Sequence, residues 1–132
     1  MIVNKRKATA SDYCKLRVTS GMGAKKLANA EIALKNSIYI VTLWEEETLI
    51  GMGRIIGDGA ISYTVTDIMV DKMYQGRGMG KIIMKHIDEY FEEYTDDDAY
   101  IMLIANIPAN KLYEKFHFKD TSPDSCGMLR KK

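Results

Sequence analysis

Three glycines alternate with other residues at Gly76, Gly78 and Gly80, and Arg77 and Lys81 add positive charge beside them. Glycine reaches backbone conformations closed to other residues and lets a ligand come close to the main chain. A strongly helical pattern begins immediately afterwards. The first turn of a helix leaves amide N–H groups without partners. Those amides, the positive end of the helix dipole and the two cations attract anions, phosphate above all. The chemistry of residues 75–81 is therefore capture of a pyrophosphate. A Walker A loop does not fit, because Gln75 stands where its first glycine belongs and Ile82 where its hydroxyl belongs. A dinucleotide fingerprint read from Gly76 or Gly78 fails at Lys81 or Ile83.

A second feature precedes the loop. Ile61, Tyr63 and Val65 alternate with Ser62, Thr64 and Thr66, the period of a half-buried strand. Continued, that phase places Asp67 on the apolar face, yet the apolar residues resume at Ile68 and Val70. A phase slip inside one strand is what a β-bulge produces, and bulges re-aim side chains near active sites.

The surrounding elements position these two features. Residues 2–7 read as a short strand, and Thr9 or Ser11 as the cap of a helix reaching Thr19. Gly21 and Gly23 suggest a mobile loop before a second helix over 24–35. Strands over 37–44, 48–56 and 60–70 form a meander, with turns at 45–47 and 57–59. Met79, Ile82, Ile83, Ile87, Tyr90, Phe91 and Tyr94 share one helical stripe. Residues 99–105 then read as a buried strand in parallel pairing, 109–115 as a short helix, and 116–130 as an irregular final strand. The expected fold is α/β: a mixed sheet with an antiparallel meander, a bulged central strand and flanking helices, in the order β-α-α-β-β-β-α-β-α-β.

Composition sets the outer limits. The 132 residues are 46% hydrophobic and 28% charged, which fits one ordinary globular domain over 1–132. Nineteen basic and 18 acidic residues give a net charge of +1, so no excess charge argues for nucleic acid or an anionic membrane. Cys14 and Cys126 form no metal-binding cluster, and no apolar run suits a signal peptide or membrane span. The expected setting is the cytoplasm, with no metal.

The hexapeptide Gln75-Gly76-Arg77-Gly78-Met79-Gly80 resembles the Q/R-x-x-G-x-G/A signature of the GNAT superfamily of N-acetyltransferases. Residues 67–74 are similar to that family's strand and lead-in. Asn106 with Ala109, Tyr113 and Phe118 resembles its Asn…Ala-x-x-x-Tyr-x-x-x-Gly-Phe block, except that His117 replaces the glycine. The order of elements matches over nearly the whole chain.

The resemblance implies acetyl-CoA as cosubstrate. Gln75, Gly76, Arg77, Gly78, Met79, Gly80 and Lys81 match the pyrophosphate loop. Ile68, Met69 and Val70 match the strand that pairs with the pantetheine arm, and the Met69 or Val70 amide is the candidate donor to the thioester carbonyl. Asn106 and Asn110 are candidate contacts to the same arm. Tyr113 matches the tyrosine near the sulfur and is the candidate general acid; Asp67, at the slip, is a candidate base or else a structural carboxylate. The implied reaction is direct attack by a primary amine of a small molecule or peptide. A noncatalytic acyl-CoA sensor on the same fold is the alternative, and a homodimer through an exposed strand edge stays open.

Overall fold

The computed structural model describes residues 1–132. Its elements are β1 (Ile2–Val3), α1 (Ala10–Thr19), α2 (Leu27–Lys35), β2 (Tyr39–Glu45), β3 (Thr48–Gly57), β4 (Ser62–Val70), a 3-10 turn (Lys72–Tyr74), α3 (Met79–Tyr94), β5 (Tyr100–Met102) and α4 (Asn110–Glu114). The strands form one sheet in the order β1-β2-β3-β4-β5. Every pairing is antiparallel except β4 with β5.

Each face of the sheet buries its own core. Val41, Leu43, Ile55, Tyr63 and Val65 meet Ile83, Met84, Ile87 and Phe91 of α3. On the other face Trp44, Met52 and Met69 meet Tyr13 and Leu16 of α1 and Ala30 of α2. The stripe read from the sequence is thus the buried side of α3, although Tyr94 at its end is exposed. Thr9 caps α1 through a reciprocal box with Asp12: the Asp12 amide donates to Thr9 Oγ1 and the Thr9 amide donates to Asp12 Oδ2.

The bulge lies where the phase slips. Arg54 pairs with Thr66 and Met52 with Met69, so Asp67 and Ile68 together oppose Gly53. Asp67 takes a φ of +52°, and the strand reverses its faces there. Tyr63 and Val65 point to α3 before the slip; Ile68 and Val70 do so after it, and Met69 turns to α1. Gly53 makes the crowding tolerable. A Cβ there would stand 2.6 Å from Ile83, 2.8 Å from Ile68 and 2.9 Å from Ile87, so α3 presses directly on the backbone opposite the bulge.

Two expectations at the C-terminal end are corrected. Residues 99–105 are not a buried strand: only Tyr100–Met102 pair, and Tyr100 and Met102 are exposed on the open edge of the sheet. Residues 116–130 form no strand, so the tenth element is missing. The 57–59 turn is also longer than a tight hairpin, because Asp58 Oδ1 accepts from the amides of Ala60, Ile61 and Ser62.

Candidate active site

The cleft starts where β4 and β5 part. They pair only from Ser62–Tyr100 to Thr64–Met102. Beyond that point the bulge swings β4 away, and a cleft of about 420 Å³ opens between Thr64, Thr66, Ile68 and Val70 on one wall and Leu103, Ile104 and Asn106 on the other. Tyr113 and Ala109 close one side, and Ser20 and Met22 of the α1–α2 loop close another.

Main-chain groups of β4 face this opening. The Asp71 amide donates to the Ile50 carbonyl at 2.8 Å, so residue 71 faces β3. By strand alternation the Met69 amide faces β3 as well, while Val70 faces the cleft. The Val70 carbonyl accordingly accepts from Gln75 Nε2 at 2.8 Å rather than from β3. Of the Met69 and Val70 amides, only that of Val70 is turned toward the cleft. Gln75 lines the cleft and ties the glycine loop to the end of β4.

The loop leaves amides free at the start of α3. Gly76 and Gly78 take φ of +78° and +82°, a region that disfavours any side chain. Gly78 is the N-cap residue and no side chain caps the helix. Gly80 differs from its neighbours: a Cβ there would meet Leu112 at 3.2 Å, so this glycine lets α4 pack on α3. Arg77 and Lys81 are exposed, and the Arg77 guanidinium sits 5.4 Å from the Tyr74 ring centre.

Tyr113 is half-buried, and burial raises the pKa of its phenol above the ordinary 10.0. The phenol therefore keeps its proton at neutral pH. Asn106 lines the cleft, whereas Asn110 lines an adjoining cavity of about 360 Å³ that shares Leu103, Ile104 and Tyr113. Asn110 Oδ1 is buried with no hydrogen-bond partner. An unmet buried acceptor costs roughly 1–3 kcal/mol, which a ligand N–H in that cavity would recover.

Asp67 lines the cleft but is fully engaged. Its Oδ2 accepts from Tyr13 Oη at 2.7 Å and from Arg54 Nε at 2.9 Å, and its Oδ1 accepts from Arg17 Nη1 at 3.1 Å. These contacts favour the structural reading of this carboxylate over the base, with the partners being side chains. Arg17 also donates to the carbonyls of Met22 and Gly23, at 2.8 and 2.9 Å, and so pins the loop whose glycines suggested mobility. Arg54 reaches Ser37 Oγ at 2.8 Å and the Ala33 carbonyl at 3.3 Å. The sequence reading missed both arginines. The available signal was Arg54 standing alone in the apolar strand Thr48–Gly57.

His117 takes a φ of +75°. The position demands the left-handed region, which accounts for the glycine expected there and for histidine as one of the better substitutes.

The comparisons with known proteins agree with this architecture. A family model described as an acetyltransferase (GNAT) domain matches residues 9–127. The chain belongs to the GNAT acetyltransferase family. A soybean (Glycine max) protein named histone acetyltransferase TAP1 is 33% identical over 120 residues, covering 83% of this chain and 51% of that protein. This chain spans about half the length of such curated plant relatives. The crystal structure of SA2161 from meticillin-resistant Staphylococcus aureus, a protein of unknown function described as a probable acetyltransferase, superposes with a TM-score of 0.93 at 45% identity, covering 99% of this chain and 98% of that one. The GNAT family protein SP0256 of Streptococcus pneumoniae shares the fold at 24% identity and a TM-score of 0.78, covering 99% and 97% of the two chains.

Proposed function

We propose that residues 1–132 form one N-acetyltransferase domain that moves an acetyl group from acetyl-CoA to a primary amine by direct attack. The observation that carries this reading is the cleft itself: past the bulge, Val70, whose amide is turned away from β3, and Tyr113 line the same opening.

The residues present fit acetyl-CoA. Gly76, Gly78 and the first amides of α3 would hold the pyrophosphate, with Arg77 and Lys81 adding charge. The outward main chain of Ile68 and Val70 would pair with the pantetheine arm as an added strand, and Asn110 Oδ1 would accept one of its amide hydrogens. Acetyl-CoA supplies an acyl group already activated as a thioester.

The chain then has three tasks. The Val70 amide donates to the carbonyl oxygen as negative charge builds there. Tyr113 gives its proton to the departing sulfur as the new C–N bond forms and the C–S bond breaks. The amine must arrive neutral, because Asp67 is held as a carboxylate by Tyr13, Arg17 and Arg54; after attack the surplus N–H proton passes to solvent, and solvent returns a proton to Tyr113. Replacing Tyr113 with Phe should lower kcat roughly 100-fold with little change in acetyl-CoA affinity. An unchanged kcat, read by release of free thiol, removes Tyr113 from the mechanism.

A further inference from the structure

The reading above leaves the acceptor unnamed, but the acceptor side of the cleft has a consistent charge. We propose that the acceptor is a small primary amine that also carries an anionic group, a carboxylate or a phosphate, and that Lys72 receives that anion. The proposal rests on the transferase reading and extends it to the second substrate.

The only acidic residue lining the cleft is Asp67, and both of its oxygens are occupied. The cleft therefore offers no carboxylate to attract a polycationic acceptor. Beneath it lie two guanidiniums for one carboxylate, with side chains only 10%, 10% and 6% exposed. The other acceptors of the two guanidiniums, the carbonyls of Met22, Gly23 and Ala33 and the Ser37 hydroxyl, carry no net charge, so this buried cluster holds one excess positive charge. The segment that forms the wall continues the pattern: residues 15–26 contain Lys15, Arg17, Lys25 and Lys26 and no acid. In a chain whose net charge is only +1, that is a local concentration.

Lys72 is the cation placed to use this field. It opens the 3-10 turn after β4, next to Asp71, whose carboxylate accepts from the Met73 amide, and its side chain lies across the wall loop: a Cβ at Gly21 would stand 2.9 Å from Lys72 Cε and 3.4 Å from Nζ. Gly21 sits between Ser20 and Met22, both cleft residues. The Lys72 ammonium has no carboxylate partner, a state it shares with Lys15, Lys25 and Lys26 of the wall segment, whereas the buried Arg17 and Arg54 are held by Asp67. An unpaired ammonium held against the rim of a cleft with a positive field and no free acid selects an anion.

The test uses matched acceptors with acetyl-CoA: O-phosphoethanolamine against ethanolamine, alanine against alaninamide, and spermidine as the polycation. The anionic member of at least one pair should show a kcat/KM about tenfold higher or more, the scale of one hydrogen bond to a charged group. The pair that responds tells phosphate from carboxylate. Lys72→Gln should raise KM for that acceptor about tenfold while the acetyl-CoA Kd stays constant, and Lys72→Arg should restore most of the loss. Equal rates within both pairs, a preference for spermidine, or an unchanged KM in Lys72→Gln would overturn the proposal. Turnover of none of these amines overturns it too; intact acetyl-CoA binding would then spare the transferase reading, and lost binding would take that reading down as well.

Discussion

Asp67 holds the buried guanidiniums of Arg17 and Arg54 together at the bulge. Its place at a phase slip beside a cleft suits a base, but three donors occupy its oxygens. As the sole counter-ion of two buried guanidiniums it should be indispensable to folding. Asp67→Asn should cost about 3–5 kcal/mol in urea unfolding, the usual result of leaving buried charge uncompensated. A loss below about 1 kcal/mol, typical of an exposed pair, would contradict its burial in this network. Tyr13 reports on the same cluster by pH. Burial first, then its bond to Asp67, raises its pKa from 10.0 to about 12. The protonated phenol is thus favoured in the folded state, so its contribution is complete below pH 10 and is lost as pH climbs towards 12. Tyr13→Phe should flatten that alkaline decline in thermal melts; an equally steep decline would remove Tyr13 as its cause. His117 offers a change of opposite sign. Its φ of +75° favours His117→Gly, which should gain about 1 kcal/mol. A loss of stability would mean that the imidazole matters through its side chain, 4.0 Å from Asp88.

At the scale of elements, α3 and the bulge were legible because both are local. The apolar stripe of α3 repeats within one helix, and the slip of β4 is a change of parity inside one strand. The glycine loop was legible for the same reason, since its φ values concern single residues. Gly78→Ala should therefore weaken acetyl-CoA binding and cost about 1–2 kcal/mol of stability. Gly80→Ala, at a position with ordinary φ and one contact at 3.2 Å from Leu112, should cost less and act by shifting α4. Equal losses for the two would contradict the assignment of Gly78 to backbone conformation. What escaped the sequence depends on distant partners. The apolar run over 99–105 reads as buried, yet it lies on the open edge and pairs over three residues because β4 turns away at the bulge. Nothing local in the sequence links Arg17 or Arg54 to Asp67; only the fold brings both to it.

For the whole molecule, the sheet divides the labour. The β4 end of the cleft, the glycine loop and Tyr113 form one side, and the pinned α1–α2 loop with Lys72 forms the other. The arginine–aspartate cluster joins them, so the α1–α2 loop and the bulge are held by one set of contacts. No helix is long and apolar enough to cross a membrane. We propose that acetyl-CoA binds in the opening between β4 and β5 and against the loop at 75–81. Titration calorimetry of the protein with acetyl-CoA, with ATP and NAD as controls, tests it most directly. Acetyl-CoA should bind at one micromolar site, weakened in Gly78→Ala, with no comparable binding of ATP or NAD. Absence of acetyl-CoA binding, or equal binding of ATP, would contradict it.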